Sequence, residues 1–425
     1  MSGGGADTVE LTVERVGARG DGIAMHGGTP VYLAFTAPGD RVRARLGRPR
    51  DEGRIGTVVD MLAPGARQAP ACPHFGTCGG CALQHLTDGD YRDFKETVVR
   101  AALERRGLDA GVVEPPRRLP PGTRRRARLA LSRPPKGSVR AGFHARESHE
   151  IVDMRACAVL HPTLLALVSP LRELSALLFR PGESGAAVLT RLESGVDALL
   201  ELPRQPDMTM LERLAAFAET DDLARLSWCL AEEPAVPVAE RRRPRIVFAG
   251  VAVDVPADGF LQASAEADAV LTELILTGIG PAKRVLDLYA GLGTFTFALA
   301  ERAPVHAIDG ARAAIAALSA AAARATLAGR VTAELRDLET RPVMGEELRR
   351  YDAVVFDPPR AGAKAQARAL AGSHVARVVA VSCNPATFGR DARALVDGGY
   401  RLTRVVPVDQ FLWSAQMELV AWFER

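Results

Sequence analysis

Arg284-Val285-Leu286-Asp287-Leu288-Tyr289-Ala290-Gly291-Leu292-Gly293-Thr294 decides the fold of this 425-residue chain. A short apolar run of β-type residues runs straight into a glycine-rich turn. Buried parallel strands read this way, because helices cover both of their faces. A helix is predicted from Phe295 to Arg302, followed by the strand Val305-His306-Ala307-Ile308-Asp309 and an Ala-rich helix from Ala311 to Leu327. Two later runs end at Asp357 and Cys383. Strand and helix alternating at this pitch predict a parallel, doubly wound α/β sheet of Rossmann-like type.

Such a sheet binds ligands at the carboxyl ends of its strands. Gly291 and Gly293 let the backbone approach a ligand, and Asp309 at the end of the second strand can accept both hydroxyls of a ribose. The turn is Gly-x-Gly with no third glycine at dinucleotide spacing, which favours S-adenosylmethionine over NAD. Asp337, after a third strand-like stretch, is a candidate acceptor for an adenine amino group or the N-cap of a helix. Phe356-Asp357-Pro358-Pro359-Arg360 ends a strand in a rigid loop, since the two prolines lock the chain and remove two amide donors. Val381-Ser382-Cys383-Asn384-Pro385 ends another, and it is poor text for a core cysteine. An acid and a thiol therefore share one sheet edge.

Upstream, Thr8 to about Leu62 consists of short alternating runs broken by Gly, Pro and Asp, as in Val9-Glu10-Leu11-Thr12-Val13 and Gly56-Thr57-Val58-Val59. That pattern predicts a small antiparallel barrel. Then comes Cys72-Pro73-His74-Phe75-Gly76-Thr77-Cys78-Gly79-Gly80-Cys81, with five and then two residues between the cysteines. Three thiolates can face one point there, and Cys157 is the best fourth ligand. On spacing alone an iron–sulfur cluster, a zinc site completed by His74 or His85, and uncommitted thiols all stay open. Cys229 has no partner nearby and reads as a buried small hydrophobe. The middle mixes basic strand-like text from Thr123 to Ser132 with Leu- and Ala-rich helical text, which suits an α+β domain. The expected division is a barrel over 1–65, a central domain over 66–265 and the doubly wound domain over 266–425.

With 47% hydrophobic and 25% charged residues, the chain has an ordinary globular composition. No apolar stretch approaches membrane-spanning length, and Met1-Ser2-Gly3-Gly4-Gly5 lacks the regions of a signal peptide. A cytoplasmic monomer with no membrane contact is expected. The net charge of +3 decides nothing, but Arg117 to Arg128 holds six arginines and no acid, and Arg241-Arg242-Arg243-Pro244-Arg245 is a second basic run. Such clusters suit phosphate contacts or a solvated face.

Taken together, these segments resemble the RNA uracil-5-methyltransferases. The resemblance runs over nearly the whole chain: the segment from Gly17 to Ala24 with Pro38-Gly39-Asp40-Arg41-Val42, similar to the RNA-binding TRAM barrel of OB type; the cysteine signature; the arginines near Arg124 to Arg128; Phe260-Leu261-Gln262; and Asp-Pro-Pro-Arg, Ser-Cys-Asn-Pro and Glu418 in that order. It implies an S-adenosylmethionine-dependent enzyme with a [4Fe-4S] cluster on Cys72, Cys78, Cys81 and Cys157. Cys383 would be the nucleophile that adds to carbon 6 of uracil, and Glu418 the base that removes the carbon-5 proton. Gln262, Tyr289, Gly291, Gly293, Thr294, Asp309, Asp337 and Asp357 would hold the donor, and Arg124, Arg126 and Arg128 the RNA. The barrel and cysteine signature resemble the 23S ribosomal RNA enzymes more than the shorter transfer RNA ones.

The chain departs from the family where Trp413-Ser414-Ala415-Gln416-Met417-Glu418 replaces a common His-Thr-x-His-Val-Glu, and at Thr123, Ser264, Thr294 and Asp309. Three rivals are separable. A methyltransferase acting on an exocyclic amine would need no Cys383. A radical methylthiotransferase would carry Cys-x3-Cys-x2-Cys, which is absent. A methyltransferase-like RNA-binding protein would not turn over.

Overall fold

The computed structural model describes residues 8–257 and 259–425, so the Met1–Gly5 segment lies outside the described residues. Strands β1 (Thr8–Val16), β2 (Gly22–His26), β3 (Thr29–Leu33), β4 (Arg41–Arg50) and β5 (Gly53–Ala63) close into a barrel in the order β1-β2-β3-β5-β4. Leu11, Val13, Val31, Leu33 and Val42 fill it. Alternate residues of a strand face alternate sides, and that is why period-2 text makes a barrel wall.

The cysteine loop follows and leads into helix α1 (Asp88–Glu104), whose first turn is capped by Thr87 accepting from the Asp90 amide. After the two-residue strand β6 (Arg117–Arg118) comes a second sheet. It is built from β7 (Arg126–Ser132), β8 (Arg140–Gly142), β9 (Ser184–Leu192), β10 (Gly195–Glu201), β11 (Arg225–Cys229) and β12 (Val236–Glu240), in the order β12-β11-β10-β9-β7-β8. Helices α2 (Pro162–Ala166), α3 (Val168–Leu178) and α4 (Met208–Thr220) bury their leucines against it. Cys229 is buried, as expected of a small hydrophobe.

The hairpin of β13 (Arg245–Phe248) and β14 (Val251–Asp254) and helix α5 (Ala265–Ile279) introduce the last unit. Its elements are β15 (Val285–Leu288), α6 (Thr296–Ala300), β16 (Val305–Asp309), α7 (Arg312–Arg324), β17 (Val331–Leu335), β18 (Ala353–Phe356), α8 (Lys364–Ala371), β19 (Arg377–Ser382), α9 (Pro385–Asp397), β20 (Arg401–Asp409) and β21 (Glu418–Glu424). The sheet order is β17-β16-β15-β18-β19-β21-β20-β6. The direction switches between the β15–β16–β17 side and the β18–β19 side, so the crevice for a ligand opens above β15 and β18.

Two features differ from the sequence expectation. The sheet is mixed, because β21 runs antiparallel to both β19 and β20. The short 410–417 segment can only turn the chain back, since a parallel return needs a crossover of a dozen residues or more. The expected boundary at 265 also falls inside continuous packing. Ile246, Phe248, Val253 and Leu261 share one apolar core with Leu271, Val285 and Val355. On the other face of the sheet, Val99 and Leu103 of α1 join Leu286, Val354 and Phe423. Helix α1 therefore packs against the sheet that follows it by well over a hundred residues. Among the described residues no helix is long and apolar enough to cross a membrane.

Candidate active site

Four strand ends meet above the β15–β18 switch point. Asp357 directly follows β18, Cys383 directly follows β19, Asp409 closes β20, and Glu418 opens β21. The register aligns them: Ser382 lies opposite Leu419, which sets Glu418 beside Cys383 at the edge of the ladder, and Glu418 lies opposite Val408. Asn384 caps α9 by accepting from the Ala386 amide, and Pro385 occupies the first turn, so the chain must leave the strand sharply at Cys383. The thiol is half-buried.

A chain of amides ties the acids together. The Gln262 side chain donates to Asp357 Oδ2 at 2.9 Å and accepts from Gln410 Nε2 at 3.0 Å. The same Gln410 nitrogen donates to Glu418 Oε2 at 2.6 Å, and Gln410 Oε1 accepts from the Ala263 amide at 3.1 Å. Glu418 is 3% exposed, and its second oxygen, Oε1, has no hydrogen-bond partner. A buried carboxyl oxygen without a partner is costly and rare. Gln262 is itself held from behind: its carbonyl accepts from Arg125 Nε at 3.1 Å, and Arg125 pairs with Asp268 at 2.7 Å.

Burial sets the protonation of this cluster. It pushes Asp357 up to about 7, helped by the charge of Asp287 and opposed by the Gln262 amide. Burial raises Glu418 well above the ordinary carboxyl range, with Asp357 adding and Gln410 opposing. The Cys383 thiol goes up to about 11, chiefly by burial, then by Glu418 and Asp357, with Arg360 pulling it down. Charges of one sign crowd here, so the ionised forms of these three groups are disfavoured, and the Cys383 thiol is the form that prevails near neutral pH.

The glycine-rich turn forms beside this cluster. Tyr289 has a φ of 61°, Gly291 55° and Gly293 93°. A Cβ on Gly291 would meet no atom within 4 Å, so that backbone faces open space, whereas one on Gly293 would strike the Phe297 ring at 2.6 Å. Gly291 thus leaves room for a ligand and Gly293 lets helix α6 pack. Asp309 receives the Gly291 amide on Oδ2 at 2.9 Å and the Ala311 amide on Oδ1 at 2.7 Å, one bond per oxygen, which leaves each oxygen a lone pair. Thr294 stands half-buried in the same turn. Asp337 is engaged locally: it accepts from the Glu339 amide at 3.0 Å and from the Thr340 hydroxyl at 2.9 Å. Those bonds close a local turn over 337–340, and no helix begins there for Asp337 to cap.

The cysteine loop docks on the 140–151 hairpin, with the Gly79 amide donating to the His144 carbonyl at 2.9 Å. The charges of Cys72, Cys78 and Cys157 push up the Cys81 thiol, those of Cys157 and Cys72 push up Cys78, and that of Cys72 pushes up Cys157, so all four lie in one neighbourhood. Burial is the larger cause, and it lifts Cys81 to about 12. Backbone amides point at the sulfurs, from Gly80 to Cys78 at 3.4 Å and from Val159 and Leu160 to Cys157. Arg124 faces Cys157 and Cys81. His74 Nε2 accepts from the Arg155 amide at 3.1 Å, and buried His85 packs against the Phe75 ring. Among the described residues no group of three or more His, Cys, Asp or Glu side chains is arranged to hold a single metal ion.

The arginines expected to meet RNA are spread. Arg124 turns to the thiols, Arg128 pairs with Glu201, and Arg126 lies over the ring of Phe260 at 5.7 Å. Phe260, 66% exposed, stands two residues before Gln262. The second basic run is neutralised in place: Arg241 and Arg242 pair with Asp222, and Arg243 and Arg245 with Asp254. Sequence reasoning missed Gln410, Thr296 and Arg125. Thr296 donates to buried Asp287 at 2.6 Å. An Asp-Gln pair closing an otherwise apolar strand was the available signal for Gln410.

Residues 253–425 match a protein-family model described as tRNA (uracil-5-)-methyltransferase. An uncharacterized RNA methyltransferase of Brucella suis is 44% identical over 417 residues, 97% of each chain. The 23S rRNA (uracil(1939)-C(5))-methyltransferase RlmD of Halomonas elongata is 34% identical over 393 residues, 87% of this chain and 80% of that one. In fold, the crystal structure of Pyrococcus abyssi tRNA (uracil-54, C5)-methyltransferase in complex with S-adenosyl-L-homocysteine superposes with a TM-score of 0.71 at 22% identity, covering 98% of this chain and all of that one.

Proposed function

This chain belongs to the RNA uracil-5-methyltransferase family, and on that premise we propose that its substrate is a uridine of 23S ribosomal RNA, methylated at carbon 5 through a covalent adduct on Cys383. The observation that carries the chemistry is the juxtaposition of Cys383 and Glu418 across one rung of the sheet, with Glu418 buried and its Oε1 left without a hydrogen-bond partner.

Carbon 5 of uracil is a weak nucleophile. The Cys383 thiol first releases its proton to solvent, the thiolate sulfur then bonds to carbon 6, and the electrons of the 5,6 double bond move onto the ring carbonyl as an enolate. S-adenosylmethionine, when bound, supplies an electrophilic methyl group. Carbon 5 takes that methyl as its bond to the donor sulfur breaks. Glu418 Oε1, with the carboxyl in its ionised form, then accepts the carbon-5 proton, the double bond re-forms, and the thiolate leaves carbon 6. Asp357 and Gln262 hold the edge of the uracil or the donor's amino group. Asp309, Gly291 and Thr294 hold the nucleoside end of the donor. The target base must leave its stack to enter, and exposed Phe260 stands at the entrance.

The length and level of similarity to the 23S enzyme, together with the barrel and the four thiols, support ribosomal over transfer RNA. Mapping 5-methyluridine in the RNA of a deletion strain tests it. Loss of one methyluridine from 23S RNA is expected, and loss from transfer RNA alone would replace the substrate assignment.

Cys72, Cys78, Cys81 and Cys157 are proposed to hold a [4Fe-4S] cluster. Four cysteine ligands with amide donors on the sulfurs and a guanidinium nearby suit an anionic thiolate-bound centre. A polynuclear cluster also spreads its ligands more widely than a single ion does. Protein purified without oxygen is expected to carry roughly four iron atoms per chain. Cys81→Ser should lower iron content and thermal stability together, and iron-free wild-type protein would remove the cluster from this account.

A further inference from the structure

Among the described residues, Lys95 is the most deeply buried cation that the chemistry above does not use. Its side chain and that of Asp409 are both 0% exposed. Its Nζ lies 2.7 Å from Asp409 Oδ1 and donates to the Gln416 carbonyl at 2.6 Å. Asp409 and Gln416 are the two ends of the segment that joins β20 to β21. Gln410, which bonds Glu418, follows the first end, and Glu418 itself stands just beyond the second.

The rest of the segment is pinned to the same elements. Tyr91, one helical turn before Lys95, donates its hydroxyl to Asp409 Oδ2 and accepts from the Trp413 amide at 2.8 Å. The amides of Ala82 and Leu83, just past Cys81, donate to the Trp413 carbonyl at 2.9 and 3.0 Å. Leu412 and Trp413 pack with Leu83, Leu86, Tyr91 and Phe94. On the outer side, Arg360 donates to Gln416 Oε1 at 2.8 Å. The family's histidines are absent here, so imidazoles cannot fix the segment.

We propose that Lys95 is a positioning residue for Glu418: its ammonium staples the two ends of the 410–417 segment and so sets where the catalytic carboxyl points. The proposal rests on reading Glu418 as the base of the elimination step. A charge held in a dry interior is a costly way to gain stability, since apolar replacements of buried ion pairs are often neutral or better. Its hydrogen-bond directions are fixed, however, and an apolar contact supplies none. Two joined contacts on one nitrogen hold both ends of the loop at one point, and a base displaced by an ångström loses most of its effect. Burial pulls the Lys95 pKa down and the Asp409 charge opposes it.

The test uses Lys95→Met/Asp409→Asn, which removes both charges together so that neither is left buried alone. Unmodified RNA from the deletion strain and donor with a tritiated methyl group are the probes. For the folded fraction, labelled adduct is expected to form within a few-fold of the wild-type rate, then to break down roughly 10–100-fold more slowly. Wild-type breakdown of the adduct, or loss of adduct formation and breakdown alike, would overturn the proposal. Tyr91→Phe, which removes only the hydroxyl on Asp409 and Trp413, is read the same way if the double variant does not fold. Glu418→Gln run in parallel separates the two readings: fast adduct breakdown in that variant would sink the base assignment itself.

Discussion

Cys383→Ala is expected to abolish methylation, by on the order of 10⁴-fold or more, while leaving binding of the methyl donor within a few-fold of wild type. The thiol sits past the end of β19, and the donor turn sits past β15 and β16, so the substitution removes the nucleophile without disturbing Gly291 or Asp309. Its half-buried position makes the packing cost small. Without sulfur at carbon 6 no enolate forms, and carbon 5 stays unreactive. Two measurements check this: transfer of labelled methyl to RNA, and the denaturation-resistant protein–RNA band that the adduct gives. Retained activity would point to an exocyclic amine as the acceptor and would end the uracil-5 reading.

The same thiol predicts a pH dependence of definite sign. Burial and the nearby Glu418 and Asp357 hold Cys383 up to about 11, so deprotonated sulfur is scarce at neutrality and grows as pH rises. Adduct formation in the wild type is therefore expected to climb with pH through the neutral range. A plateau beginning below pH 7 would mean that bound substrate lowers the thiol's pKa far more than Arg360 does in the free enzyme.

The sheet could be read from sequence because its strands are short apolar runs that end at or just before a polar or turn residue, such as Asp309, Asp357 or Cys383. The same boundaries exposed the acid, the thiol and the donor turn. Direction and partnership were harder. Nothing in Arg401–Asp409 and Glu418–Glu424 says that the later strand inserts between β19 and the earlier one, reversed. That order is set by a short loop and by which faces must be covered, both properties of the whole chain. Gln410, Lys95 and Asp409 escaped for a related reason. Their roles come from contacts across long separations, such as Lys95 with Asp409, and a lone Lys in helical text looks like a solvated face. Charge runs misled in the other direction. The Arg241–Arg245 cluster is consumed by Asp222 and Asp254, which lie on neighbouring segments that only folding brings near.

Glu418→Gln is expected to split the reaction: the first methyl transfer proceeds and the enzyme then stays bound to its product. Glutamine keeps the shape and a hydrogen-bond acceptor for Gln410, but its amide cannot take the carbon-5 proton, so steady-state turnover should fall by about 10²–10⁴-fold. Rapid-quench sampling should show one labelled methyl per enzyme in the protein–RNA band, persisting long after the wild-type band has cleared. A variant that neither transfers the first methyl nor forms the band would place Glu418 at addition rather than elimination. Stability moves the opposite way. The folded state holds the Glu418 carboxyl well above its unfolded value, so folding retains a proton that the unfolded chain releases between the two. The group's contribution to stability is therefore complete below the unfolded pKa and is lost as pH rises toward the folded one. Neutral glutamine has no such loss. Glu418→Gln should match the wild type in thermal midpoint near pH 4 and exceed it near pH 8, so that a substitution damaging to turnover also strengthens the fold. On the proposed mechanism the ionisable acid in that dry position receives the proton from carbon 5, and Oε1 is the buried oxygen of that carboxyl left without a partner.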